Sequence, residues 1–345
     1  MILKLAPVIF LLMSFNSIGK WYYVSPTGND EHEGSTPEQA KASINKTLEL
    51  MQPGDSLYLL PGIYRQTIHT VKSGKPDAPI AITGSRSVVI TGKKHHRNMH
   101  IGHSYIHVSG ITFDGEREAL KRESSYAIRL VEVASATDDD ILGVSIRGVM
   151  FKNALAECLR IRRHTKASII EHNQLSHCGL REWLFDSPKH NSEGIYIGTA
   201  PENLVEGSSD RTGAITVRHN IISAPIGECI DVKENVRHSD ISYNHCEGAH
   251  ELKSGAINIR GSENSVTHNI VINTKGAGIR LGGDEERYST FNQIKHNALV
   301  NNQAGGIKIM NWPQNLCGNQ VSVSEGQKAI RTRDKYPHAA MEPCL

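Results

Sequence analysis

Large aromatic residues are scarce in this 345-residue chain, with six Phe and three Trp against 30 Gly. So few big rings and so many turn formers argue against a helical bundle and for a turn-rich β protein. No repeat unit sustains apolar residues at spacings of three and four, which removes helical repeats. An excess of one charge is missing too: Lys and Arg total 38, Asp and Glu 36, for a net charge of +2. That balance leaves no overall electrostatic footprint for nucleic acid or for an acidic membrane surface. Cys and His never fall at the tight spacings of zinc sites. No low-complexity linker divides residues 20–345, which read as one domain with room for a sizeable core.

One long apolar run exists, Leu5 to Phe15, behind the positive Met1-Ile2-Leu3-Lys4 and ahead of Asn16-Ser17-Ile18-Gly19. It reads as a secretory signal over residues 1–19 and implies a secreted or periplasmic protein. It is short of the about 20 apolar residues that a membrane span needs. Export makes the six cysteines candidates for disulfides. Cys158 and Cys178 lie in successive segments, as do Cys229 and Cys246, which leaves Cys317 and Cys344 as a C-terminal clamp.

What the chain does have is a repeat. Cys158-Leu159-Arg160-Ile161-Arg162 alternates apolar and polar residues, as do Gly194 to Gly198, Glu228 to Lys233, Ala256 to Arg260, Gly278 to Gly282 and Gly306 to Met310. Alternation is the mark of a strand with one buried face. Stacked, these segments give two aliphatic inward columns. The outward columns read Arg160, Tyr196, Asp231, Asn258, Arg280, Lys308 and Arg162, Gly198, Lys233, Arg260, Gly282, Met310. This strip is expected to be an exposed, mostly cationic active face.

A second phrase places Asn173, Asn220, Asn244, Asn269 and Asn297 behind His172, His219, Tyr243, His268 and His296. The later steps, in the twenties, set the period of a β-solenoid, and the step of 47 from Asn173 to Asn220 reads as about two such periods with an insertion. The asparagines read as a structural ladder at tight corners, each tolerating a left-handed backbone. Near the start, Thr36-Pro37-Glu38-Gln39 has the form of a capping box, opening a helix with Ile44, Leu48 and Met51 on one face. That helix is expected to cover the open N-terminal end of the solenoid, protecting its unpaired edge. Insertions follow Gly115, Cys178 and Thr199, and the second carries Trp183 and Phe185, which suit either a sugar ring or a satellite cluster.

Tyr22-Tyr23-Val24-Ser25-Pro26-Thr27-Gly28, with Pro53-Gly54-Asp55 and Leu60-Pro61-Gly62-Ile63-Tyr64, resembles right-handed parallel β-helix proteins of the pectate lyase superfamily. Glu228-Cys229-Ile230-Asp231-Val232-Lys233 and Gly255-Ala256-Ile257-Asn258-Ile259-Arg260-Gly261 are similar to the chondroitinase B and alginate lyase family. The resemblance implies an all-β, right-handed parallel β-helix. It also implies calcium held by Glu228, Lys233 as base and Arg260 as its partner. The family's second acidic ligand position is Ile226 here, so Asp231 and Glu193 are the substitutes.

Such chemistry suits the residue types. Removing the C5 proton of a uronic acid needs its carboxylate neutralised, by calcium or by arginine. Calcium takes hard oxygen ligands, which Glu228, Asp231 and Glu193 supply. A lysine base needs a lowered pKa, which neighbouring cations favour, whereas Asp231 and Glu234 favour a charged ion-pair lysine instead. Arg280, Arg160, Arg162, Tyr196, Asn258 and Lys308 are the candidate substrate contacts. The expectation is a monomeric lyase acting on an acidic polysaccharide, with no nucleic-acid partner and no stable membrane insertion. A glycoside hydrolase using two carboxylates, Asp231 with Glu193 or Glu228, and a non-catalytic glycan-binding protein are the other readings.

Overall fold

A computed structural model describes residues 19–92, 97–115, 129–181, 191–204, 208–283, 285, 287–333, 336 and 344. Residues 1–18 of the expected leader, and Trp183 and Phe185, lie outside the described residues. The described chain is almost entirely short strands. They form three long sheets of eleven, ten and ten strands. The first runs from Trp21–Val24 to Asn315–Cys317, the second from Ile68–His69 to Ile330–Thr332, and the third from Gly62–Tyr64 to Gln320–Ser322. After the first strand, Trp21–Val24, each coil gives one strand to each sheet; Ser145–Arg147, Met150–Lys152 and Leu159–Arg162 make one circuit. Every pairing within these sheets is parallel, for example Ile230 against Ile195 and Ile257. Parallel strands joined by crossovers in the usual hand make a right-handed parallel β-helix.

The aliphatic columns face inward. Leu159, Ile195, Ile230, Ile257, Ile279 and Ile307 stack in register, as do Ile161, Ile197, Val232, Ile259, Leu281 and Ile309. Nearly all are fully buried, in a core that continues from Val24 to Leu316. Each such side chain contributes about 1.5–3 kcal/mol relative to exposure. Disulfides Cys158–Cys178, Cys229–Cys246 and Cys317–Cys344 all form.

The cap differs from the expected continuous helix. Thr36 Oγ1 does accept from the Gln39 N–H (3.3 Å), yet the turn Pro37–Gln39 stops after one circuit. Lys41 then pairs with Val24, and the helix proper is Ile44–Leu50. Strand pairing by the backbone of Lys41 outcompetes helix continuation. The cap still covers an edge. Ile44, Leu48 and Met51 are buried, and Asn45 bonds the carbonyl of Thr67 and the N–H of His69 beside the edge strand Ile68–His69.

The asparagine ladder is present. Asn173, Asn220, Asn244, Asn269 and Asn297 each donate Nδ2–H to the Oδ1 of the next, at 2.9–3.0 Å, and Asn319 ends the series. Two details differ from the sequence reading. Asn173 bonds directly to Asn220, so the step of 47 is one coil enlarged by an insertion rather than two coils. The left-handed residue is the ring before each asparagine: His172, His219, Tyr243, His268 and His296 have φ of 54–57°. Their rings stack at 4.8–5.1 Å. Gly148 and Gly318 hold the same place at the two ends, also left-handed, because the corner demands that backbone.

Candidate functional site

The site lies on the outer side of the second sheet. Register pairs Arg160 with Tyr196, Tyr196 with Asp231, Asp231 with Asn258, Asn258 with Arg280, and Arg280 with Lys308, as the alternation predicts. Glu132 continues this column beyond Arg160. Outward does not mean exposed, however. Asp231 is 0% accessible, Lys233 6% and Tyr196 3%. The expected open strip is a sunken floor, because its side chains lie across one another rather than standing free.

At the centre, Lys233 Nζ is 2.5 Å from Asp231 Oδ2 and 4.5 Å from the centroid of Tyr196. Arg160 Cζ is 4.7 Å from the same ring. Arg260 reaches Asp231 (3.7 Å) and Glu234 (3.5 Å). Asn258 Nδ2 donates to Asp231 Oδ1 (3.0 Å) and to Glu228 Oε1 (3.5 Å). Glu193, Glu228 and Asp231 bring one carboxylate oxygen each to within 4.8 Å of one another, all buried. Glu193 Oε2 and Asn258 Oδ1 are buried with no hydrogen-bond partner among the described residues. A cluster of hard oxygens with an unmatched lone pair fits a divalent cation such as calcium.

The electrostatics divide the carboxylates. Burial, then Asp231, push Glu228 up to about 7. Burial raises Glu193 well above the usual range, with Glu157, Glu228 and Asp231 adding to it. Burial also disfavours charge on Asp231, but Lys233 and Arg260 outweigh it and hold Asp231 low. Lys233 is the reverse case. Burial lowers it, yet Asp231, Tyr196 and Glu193 more than restore the charge and hold it above the ordinary lysine range. Of the two roles the sequence leaves open for Lys233, the geometry of the free protein is that of the ion pair.

The remaining candidates sit around this centre. Arg162 bonds Glu132 at 2.9 Å, Arg280 is half-buried, and Lys308 Nζ donates to the carbonyl of Lys253 at 2.9 Å. A cleft of about 510 Å³ opens over Lys233, Tyr196, Arg160 and Arg162, with Asn191 and Glu202 on its walls. The sequence reading missed Glu157, Glu132, Arg97 and Arg129. Glu157 is fully buried between Arg129 and Arg160 (3.3 Å each), and Glu132 binds Arg97 and Arg162. A signal was there to find: Glu157, Glu193 and Glu228 each stand two residues before the first inward residue of their strands, Leu159, Ile195 and Ile230.

The fold was compared with solved structures. An alginate lyase from Paenibacillus sp. str. FPU-7 superposes with a TM-score of 0.69 at 14% identity, covering 90% of this chain and 98% of that one. The chain has the parallel β-helix fold of the pectate and alginate lyases. Pectate lyase Pel9A gives 0.51 at 15% identity, over 94% of this chain and 82% of its own. A lacto-N-biosidase from Eubacterium ramulus gives 0.56 at 12%, over 94% and 67%, so glycoside hydrolases share the architecture. No protein-family model and no curated protein sequence matches the chain.

Proposed function

We propose that the protein is a secreted polysaccharide lyase that cleaves an acidic glycan by β-elimination with calcium as cofactor. The observation that carries this reading is the buried trio Glu193, Glu228 and Asp231 beside Lys233 and Arg260 under an open cleft. Three disulfides agree with an oxidising compartment. Among the described residues no helix is long and apolar enough to cross a membrane.

Glu193, Glu228 and Asp231 are the residues that would hold calcium. Bound there, the ion would supply the positive charge that neutralises a uronate carboxylate and acidifies its C5 proton. Arg260, anchored by Asp231 and Glu234, is the second source of that charge and a donor for the leaving C4 oxygen. Lys233 is the assigned base. Asp231 is the largest charge keeping Lys233 protonated, and a cation held by Asp231 would offset that charge and favour the basic form of the lysine. Tyr196 and Arg160 wall the cleft on the side of the preceding coils, and Arg162, Asn258, Arg280 and Lys308 are the assigned substrate contacts.

A glycoside hydrolase is the second reading, favoured by the close approach of Glu228 and Asp231, whose carboxylate oxygens lie within 4.8 Å of each other, with burial pushing Glu228 up while Lys233 and Arg260 hold Asp231 low. One experiment separates the two. The protein is incubated with alginate, pectate and chondroitin, with calcium or with EGTA. Ultraviolet absorbance from unsaturated ends means a lyase, new reducing ends without it mean a hydrolase, and column retention with neither means a binder.

A further inference from the structure

Charged side chains on the second sheet form a row of contacts that crosses the coils. Arg129 meets Glu157 (3.3 Å), and Glu157 meets Arg160 (3.3 Å). Further on, Lys233 meets Asp231 (2.5 Å), Asp231 meets Arg260 (3.7 Å), and Arg260 meets Glu234 (3.5 Å). Sign alternates at each of these steps. Along this row the alternation fails between Arg160 and Lys233, where a cation follows a cation. Tyr196 stands at that place. Arg160 comes to its ring from the preceding coil and Lys233 from the following one, at 4.7 and 4.5 Å from the centroid.

All three side chains are buried. Two cations left facing each other away from water repel strongly. The negative face of an aromatic ring attracts a cation, and more so where water is excluded. Tyr196 therefore takes the place of the missing carboxylate: it separates the two cations and attracts both. A carboxylate there would add a further acid beside Glu193, Glu228 and Asp231, two of which burial already raises. It would also give Lys233 another counter-ion, whereas the ring holds the lysine without one. The hydroxyl has a separate task. It accepts from the Ala200 N–H (3.3 Å) at the start of the turn Pro201–Asn203, and Ala200, Glu202 and Asn203 wall the cleft.

We infer that Tyr196 is a positioning residue for the reaction. Its ring seats the Lys233 side chain against Asp231 and keeps Arg160 from it, and its hydroxyl holds the cleft wall. This inference rests on the lyase reading above, in which Lys233 is the base.

Two substitutions separate the ring from the hydroxyl. Tyr196→Leu removes both, and Tyr196→Phe removes the hydroxyl alone. Tyr196→Met, adaptable in shape, serves in the same way if the leucine variant does not fold. The first readout needs no substrate. Denaturant unfolding of the single and double variants with Lys233→Ala gives the coupling between the two side chains. Tyr196→Leu and Lys233→Ala are expected to be coupled about tenfold in the unfolding constant, and Tyr196→Phe with Lys233→Ala by less than about twofold. The second readout is steady-state turnover of the acidic glycan that the wild-type protein cleaves. Tyr196→Leu is expected to lower kcat about 30-fold, the ratio for a cation–π contact of about 2 kcal/mol. Tyr196→Phe is expected to hold kcat and raise KM about fivefold, the ratio for one hydrogen bond of about 1 kcal/mol.

A Tyr196→Leu protein that is uncoupled from Lys233, or that keeps its kcat, overturns the inference. So does a Tyr196→Phe protein whose kcat falls as far as that of leucine, because the hydroxyl would then be what matters. If the wild-type protein yields no unsaturated product from any acidic glycan, the lyase reading fails and the positioning role with it. The unfolding cycle does not depend on that outcome, so the two failures are told apart.

Discussion

Two polar columns run across the same coils and obey opposite rules. In the asparagine ladder every polar atom is used. Asn244 gives its N–H and Nδ2–H to Asn269 Oδ1 (2.9 and 3.0 Å), gives Nδ2–H also to the carbonyl of Val217 (2.8 Å), and accepts twice from Asn220. On the second sheet, burial is as deep but matching is incomplete. Glu193 and Asn258 keep oxygens with no partner among the described residues, and three carboxylates crowd into one place. A buried polar group without a partner costs about 1–3 kcal/mol. A fold that satisfies one column completely and leaves the other short is the physical ground for placing the proposed site on the second. The comparison locates function more sharply than burial or charge alone does.

The largest effect expected is on the unsatisfied column. Lys233→Ala should lower turnover about 10³-fold, the range for loss of a general base, with glycan binding retained. Single-turnover rates and calorimetry on the same preparation check this, and an unchanged rate removes the base assignment. Next comes the satisfied column. Asn244→Ala strands Asn220 and its own neighbours in a buried corner and should cost about 2–4 kcal/mol by denaturant unfolding. Glu193→Gln, equally buried, should cost far less or stabilise the metal-free protein, because it removes like charge. Equal losses for the two variants would erase the distinction between the columns.

The difference also explains what was legible in the sequence. Period-two alternation fixes which side chains share a face, and a solenoid repeats it. The register of Arg160, Tyr196, Asp231, Asn258, Arg280 and Lys308 therefore follows from aligning short phrases. Two cysteine pairings follow from their place in successive segments, and the third, Cys317–Cys344, from the two cysteines left over. Burial did not follow, because alternation says which way Lys233 points and not what Tyr196 and Asp231 lay across it. Glu157 and Glu132 were passed over because each is held by an arginine of a neighbouring coil, Arg129 for Glu157 and Arg162 for Glu132, a contact that exists only once the coils stack; Arg160 adds a second bond to Glu157 from three residues along its own coil. The left-handed corner was assigned to the asparagine since asparagine tolerates it, while the backbone gives it to the ring one residue earlier, freeing the asparagine to bond inward.

A smaller effect links the carboxylate trio to pH and metal. Glu228 is raised from 4.5 to about 7 in the fold. A raised acid pKa means the folded state binds the extra proton, so its stability contribution is whole below about 4.5 and lost as pH climbs through about 7. Asp231, held low, loses its contribution only in more acidic solution and does not blur that window. Metal-free protein should therefore melt higher at pH 5 than at pH 8, and Glu228→Gln should flatten the difference. Calcium at pH 8 should restore stability, about 2.7 kcal/mol at a hundredfold excess over Kd, and EGTA should remove it. At pH 5 the gain should shrink, since Glu193 and Glu228 then hold protons. A melting temperature indifferent to calcium at pH 8 would dismiss the ion from the site.

The smallest effect tests whether the ladder column is as purely structural as its saturation suggests. His268 sits at φ 57° with its ring between Tyr243 (4.8 Å) and His296 (5.1 Å). His268→Asn keeps a side chain that tolerates the left-handed backbone and loses only stacking, so the cost should be about 1 kcal/mol or less. His268→Val loses the same stacking and also puts a β-branched residue at positive φ, which adds about 1–3 kcal/mol. If the backbone sets the requirement, valine is clearly worse than asparagine in unfolding experiments, and turnover per folded molecule is the same for both. Equal destabilisation by the two would mean that the stacked rings, not the corner, hold the coils in register there.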